Sequence, residues 1–325
     1  MEWIPDERVI IEAWPGYPGG PKPIQRIIWR PVPEAATRIA ELRAGNADII
    51  VNVPPDLADD VARASGARLE TVPGMRRIFV GIKQGRHPAL ADRRVRQALN
   101  HAFNCEGMMR SLLAGRGRCS ANIANVPDQN PKIQPYAYDP ARAARLLDEA
   151  GWRLNPVTGV RERDGRPLVL TFDCPNGRYI RDKDMCQVIA SDLEKVGIRI
   201  NLQVLDWSVY VRMSARRGAG FHDLYLLGSG PGFECQNDLA LVQKDSGSNR
   251  SGWANDRYES VWGKLSSEFN VKKRVEMCGQ LEQIARDDAA LLFIWFQTDF
   301  YGVSNRLVWK PRADERIWLG DARLR

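Results

Sequence analysis

Two stretches of this sequence alternate short apolar runs with amphipathic ones, and that alternation restricts the chain to an α/β layer architecture. In the first stretch, residues 8–13 and 24–30 read as strands separated by the turn cluster Pro15-Gly-Tyr-Pro-Gly-Gly-Pro21. A helix over 34–44 follows, with Ala35, Ile39 and Leu42 on one side and Gly45 as its stop signal. Residues 48–53 form the next strand, 56–64 a second helix, and 68–72 and 77–83 two further strands. In the second stretch, strands over 168–174, 199–205 and 223–227 alternate with helices over 181–196 and 207–216. The helix over 181–196 turns Met185, Val188, Ile189, Leu193 and Val196 inward and stops at Gly197.

Helical patterns fill the remainder. Val95, Ala98, Leu99, Ala102 and Phe103 recur at helical spacing within 92–103, and 106–114 is a second helix. A Pro/Asn-rich loop covers 122–135, after which Asp139 and Pro140 start a helix as N-cap and first residue, and Gly151 ends it. Patterns over 256–269 and 271–287 lead into the apolar run 291–296. The tail, 300–325, is irregular, with Trp309 and Trp318 as expected packing anchors.

At 325 residues, 44% hydrophobic and 27% charged, the chain can bury a sizeable core in one large or two ordinary domains. No apolar run approaches the ~20 residues that cross a bilayer. The N-terminus carries neither a basic region nor an apolar one of signal-peptide type, which leaves two readings: a cytoplasmic protein, or a chain whose beginning has been removed. Net charge is +7, but Lys and Arg are interleaved with Asp and Glu. That reads as a solvated basic surface and argues against a nucleic-acid partner.

Catalytic motifs are absent: no HExxH, GxSxG, Walker A or complete GxGxxG occurs. Gly228-Ser-Gly-Pro-Gly232 follows a strand but lacks the Lys-Ser/Thr of a phosphate loop. His87, His101 and His222 have no carboxylate or Cys at triad or metal spacing. The expectation is a chain with no catalytic residues, no metal and no cofactor.

Several segments, in shared order and spacing, resemble the family-5 extracytoplasmic solute-binding proteins of oligopeptide/dipeptide ABC importers. They include Arg26-Ile-Ile-Trp-Arg-Pro-Val-Pro-Glu-Ala-Ala-Thr-Arg38 followed by Gly45-Asn-Ala-Asp-Ile49. The most specific are Arg94-Val-Arg-Gln-Ala-Leu-Asn-His-Ala-Phe103 and Tyr138-Asp-Pro-Ala-Arg-Ala-Ala-Arg-Leu-Leu-Asp-Glu-Ala-Gly-Trp152. Lys195-Val-Gly-Ile198 and 249–255 add to them. The resemblance implies a two-lobed periplasmic-binding-protein-like fold of type II. Residues 1–92 would be part of lobe I, 93–296 lobe II, and 297–325 a return segment to lobe I. The N-terminal part of lobe I and an additional small domain would be missing, which favours the removed-beginning reading.

The resemblance implies a binder that captures a peptide-like or other small polar solute by hinge closure and delivers it to ABC permease subunits. A periplasmic or extracytoplasmic monomer is implied. The rival reading is a truncated fragment with a structural role and no tight ligand binding. Arg178, in Pro175-Asn-Gly-Arg178, matches a position where members can carry an arginine for a ligand carboxylate, which a planar guanidinium grips bidentately. Trp207 resembles a tryptophan near the cleft. The loop holding Ser229, Gly230 and Glu234 occupies the place where peptide binders show Gly-Trp and nearby aspartates. Here serine replaces the tryptophan and only Glu234 and Asp238 remain, a departure from dipeptide specificity. On the premise of export, at least one disulfide is expected among Cys105, Cys119, Cys174 and Cys235, which fall in loop-like stretches. Cys186 and Cys278 lie in helical patterns and read as small buried thiols.

Overall fold

Strand pairing in the computed structural model, which describes residues 1–124 and 130–325, follows the alternation seen in the sequence. The chain forms two units, Met1–Gly74 with Thr298–Arg325, and Met75–Gln297. In the first unit, β1 (Glu2–Ile4), β2 (Arg8–Glu12) and β3 (Arg26–Trp29) make an antiparallel sheet. Its register sets Trp3, Val9 and Trp29 side by side across the three strands. Helix α1 (Ala35–Arg43) buries Ile39 and Leu42, and Gly45 beyond it takes a φ of +76° that a side chain would oppose. Strand β4 (Ile49–Ile50) and helix α2 (Ala58–Ala62) follow.

The two strands expected over 68–72 and 77–83 are one, β5 (Ala67–Ile82), which continues through Pro73-Gly74 and passes from the first unit into the second. In the second unit, α3 (Arg93–Ala102) is capped by Asp92 and buries Val95, Ala98, Leu99 and Ala102 as its periodicity predicts. It also buries Arg96, whose guanidinium is satisfied by the carbonyls of Leu90, Ala91, Asp288 and Ala289 and by the Asp288 carboxylate. Next come α4 (Cys105–Leu113) and β6 (Arg118–Cys119). The Pro/Asn-rich loop follows; its middle, 125–129, lies outside the described residues. Asp139 caps α5 (Pro140–Glu149) as expected. A small sheet of β7 (Arg153–Leu154), β8 (Arg161–Arg163) and β9 (Arg166–Pro167) was not anticipated.

The main sheet is then built from β10 (Val169–Asn176), α6 (Asp182–Glu194), β11 (Arg199–Asp206), α7 (Trp207–Met213), α8 (Ala215–Gly218) and β12 (Leu224–Ser229). The helix expected over 207–216 is therefore two, divided at Ser214. Helices α9 (Cys235–Leu239), α10 (Asp256–Leu265) and α11 (Val271–Asp287) precede β13 (Leu291–Ser304). Sheet order is β11-β10-β12-β5-β13, with β6 paired to β13. Beneath it Tyr210, Phe221, Tyr225, Trp253 and Tyr258 are fully buried, and Phe221 stacks on Tyr225 at 4.3 Å between ring centroids.

Strand β13 returns to the first unit, where Gly302 pairs with Ile50 of β4. The tail adds β14 (Leu307–Val308) and β15 (Arg323–Leu324), which pair with each other. Trp309 is a buried anchor of the tail, packed with Tyr301 and Val303. Trp318 is not: it is 54% exposed and its indole N–H reaches Asp321.

All six cysteines pair, as Cys105–Cys119, Cys174–Cys186 and Cys235–Cys278, with Cα separations of 6.1, 6.2 and 6.1 Å. The expected bond among these four cysteines is present as Cys105–Cys119, but their assignment to loops is corrected: they lie in α4, β6, β10 and α9. The reading of Cys186 and Cys278 as free buried thiols is corrected. Each sits on the inner face of a helix, directly opposite a cysteine on the neighbouring element, so burial and pairing coincide.

Candidate functional site

Strands β10, β11 and β12 are parallel, with β10 in the middle. The chain leaves β10 through α6 to pair on one side as β11, then crosses back to pair on the other side as β12. Such a reversal opens a crevice at the carboxyl ends of the strands, where α/β sheets bind ligands. Three segments emerge there: 177–181, Asp206-Trp207, and 229–234. Antiparallel β5 brings Arg76 and Arg77 to the same end, with Arg77 opposite Ser229.

Arg178 is half-buried, its guanidinium 5.1 Å from the Tyr179 ring centre and 5.7 Å from that of Trp207. Trp207 is half-buried too. It meets Tyr179 edge-on at 6.0 Å and stacks on buried Tyr210 at 5.9 Å, so one face belongs to the core and the rest to the crevice. Arg76 lies 5.8 Å from the Tyr179 ring and donates to the Gly228 carbonyl at 3.3 Å. The Tyr179 hydroxyl donates to that same carbonyl at 3.3 Å, and burial pushes its pKa up. Arg178, Trp207 and the end of β12 at Gly228 are thus joined through Tyr179, with Ser229 and Gly230 following in the chain.

The glycine loop is held from behind. Arg77 donates to the Gly230 carbonyl at 2.9 Å and pairs with Asp238, which in turn accepts the Gly232 N–H at 2.7 Å. Burial pushes the Arg77 guanidinium down, and the Asp238 charge opposes this. Asp238, 3% exposed, is therefore committed to Arg77. Glu234 stands apart: it is exposed, and its carboxylate faces Arg274 at 3.6 Å. Sequence reasoning missed Arg76, Arg77 and Tyr179. The one available signal was a basic pair heading an apolar strand pattern.

Deeper in the unit, Glu282 accepts N–H groups of Ile123, Ala124 and Asn130 and the Asn122 amide. Burial pushes its carboxyl up to about 6 against the pull of those four donors. Asp173, fully buried, accepts both the backbone N–H and the ring of His222. Among the described residues, no cluster of three or more His, Cys, Asp or Glu is arranged to hold a metal, and no helix is long and apolar enough to cross a membrane. A cavity of ≈ 550 Å³ lies in the first unit, lined by Trp29, Ile50, Leu307 and Ile317 among others, and includes none of the candidate ligand-binding residues Arg178, Trp207, Ser229, Gly230 and Glu234.

The family described as bacterial extracellular solute-binding proteins, family 5 Middle, matches residues 1–249. The oligopeptide-binding protein AppA of Bacillus subtilis is 23% identical over 98% of this chain and 60% of its own length. The dipeptide-binding protein of Escherichia coli is 26% identical over 92% of this chain and 55% of its own. The chain thus spans little more than half the length of these curated relatives. The solved structure of Bacillus subtilis AppA in complex with a nonapeptide superposes with a TM-score of 0.91 at 20% identity, covering 100% of this chain and 65% of AppA. NikA from Brucella suis in complex with Fe(III)-EDTA gives 0.82 at 23%, covering 100% of this chain and 67% of NikA. The fold is the two-lobed α/β fold of periplasmic binding proteins expected from the sequence. With the match covering well over half its residues, the chain belongs to family 5 of the bacterial extracellular solute-binding proteins.

Proposed function

We propose that this chain is the substrate-binding component of an ABC importer, capturing a peptide-like or other small polar solute outside the cytoplasm. The observation that carries the reading is the convergence of Arg178, Trp207, Ser229 and Gly230 at the carboxyl end of three parallel strands. Arg178 supplies charge for an anionic group, and Trp207 and Tyr179 supply an apolar floor. Glu234, exposed beside Arg274, contributes at the rim. Because Asp238 is bound to Arg77, it is not the acceptor for a peptide α-amine, and the site lacks the acidic pairing that dipeptide recognition would use there. Solute capture proceeds with hinge closure, and the partners are ABC permease subunits; no catalysis is assigned.

Titration calorimetry with a panel of di- and tripeptides, comparing wild type with Arg178→Ala, tests this. Losing a desolvated charge-assisted pair should cost about 2–5 kcal/mol. An affinity within about twofold of wild type removes Arg178 from the site, since each 1.4 kcal/mol is about a factor of ten.

A further inference from the structure

Among the side chains around the end of the sheet, Asp182 has the most completely used carboxylate. It is 4% exposed and occupies the first position of α6. One oxygen accepts the backbone N–H of Arg178 at 2.8 Å and of Tyr179 at 2.9 Å. The other accepts Gly177 at 3.3 Å and Lys183 at 2.9 Å. A carboxylate offers about four lone-pair sites, and here backbone donors take all of them. Successive N–H groups ahead of a helix make an anion cradle. In this cradle the anion is the chain's own, so a ligand anion has only side chains of the loop to meet.

The loop also needs holding. Gly177 and Arg181 both lie in the left-handed region, at φ 85° and 54°, the second without the excuse of being glycine. Its two ends are tied by Cys174–Cys186, but that bond leaves the path of the intervening backbone undetermined. The four hydrogen bonds to Asp182 determine it.

We propose that Asp182 is the positioning residue of this loop, filling the cradle so that Arg178 is laid against Tyr179 and Trp207. Its consequence for binding rests on the reading of Arg178 as a ligand anchor, but the geometry is testable without ligand. Phenylglyoxal modifies accessible arginines, and peptide mass spectrometry reads the rate at each one. Arg178 should react about tenfold faster in Asp182→Ala than in wild type, the population change that losing about 1.4 kcal/mol of net hydrogen bonding produces. Buried Arg96, on α3, reports global opening and should stay unreactive. Asp182→Asn keeps one acceptor oxygen and should fall between; it carries the test if the alanine variant does not fold. An unchanged Arg178 rate in a folded variant, or Arg178 and Arg96 rising together, would overturn the proposal. Unaltered peptide binding by Arg178→Ala is a different outcome. It would remove Arg178 from the ligand site and leave the positioning result standing.

Discussion

Removing one partner of the Arg77–Asp238 pair should be the most damaging single change behind the glycine loop. Their side chains are 4% and 2% exposed, and among the described residues the guanidinium has, beyond Asp238, only the carbonyls of Ile123 and Gly230, with no partner for its Nε. Asp238→Ala leaves the buried cation without its ion-pair partner, with only the charge of Glu282 left to favour it, and the Gly232 N–H without its acceptor. Breaking such a pair costs about 3–5 kcal/mol. For a unit the size of Met75–Gln297 that corresponds to roughly 6–20 °C in melting temperature. Asp238→Asn retains the acceptor for Gly232 and isolates the charge. The double variant Arg77→Met with Asp238→Leu removes both charges and should recover most of the loss, since a well-packed apolar replacement is often neutral or better. Urea unfolding followed through the buried tryptophans Trp253 and Trp295 measures all four proteins. If Asp238→Ala costs less than about 1 kcal/mol, or the double variant is no better than the single, the pair is not the buried ion pair described.

Glu282 predicts a pH dependence. Its carboxyl is raised from 4.5 to about 6 on folding, so its contribution is complete below pH 4.5 and lost as pH rises through 6. The loss is about 2 kcal/mol, and Glu282→Gln should flatten the urea midpoint across that window; an unchanged slope refutes it. Hydrogen exchange should divide the chain. Amides of β1–β3, with Trp3 and Ile28 exposed, should exchange faster than those of β10, which is paired on both sides and mostly buried. Equal protection would show that the first unit's sheet is as well secured as the second's.

The fold was largely legible because its signals are local. The stripe Val95, Ala98, Leu99, Ala102 marks α3, the Asp139-Pro140 start marks α5, and the alternation from 168 to 227 gives the parallel sheet. What escaped was set by tertiary context. Pro73-Gly74 carries the punctuation of a turn, yet β5 runs through it because β12 on its flank continues the pairing of its second half. Helical periodicity showed that Cys186 and Cys278 face inward; it carried no information about which residue stood opposite. The site was legible only as loop positions. Arg178 and Trp207 do meet, but through Tyr179, whose role depends on Gly228 being one strand away. Asp238, one of two acidic residues left open by the sequence, proved to be committed to an arginine 161 positions distant.

That commitment bears on why charged groups are buried here at all. Asp182, Asp238 and Glu282 lie at 4%, 3% and 1% exposure; Asp182 and Glu282 each accept several backbone N–H groups, and Asp238 accepts that of Gly232 beside its pairing with Arg77. An apolar residue in place of Asp182 or Glu282 would leave several buried N–H groups unpaired, at about 1–3 kcal/mol each. Burying the carboxylate therefore costs less than its absence would. Helices and strands satisfy their own backbone; loops that must keep a fixed, non-repeating path beside a ligand do not. Cys174–Cys186 and Cys235–Cys278 tie β10 to α6 and α9 to α11 beside these segments, while the hydrogen bonds fix the path between. A loop already held in its bound shape loses little entropy when a solute arrives, and the affinity of such a site depends on that preorganisation as much as on its contacts.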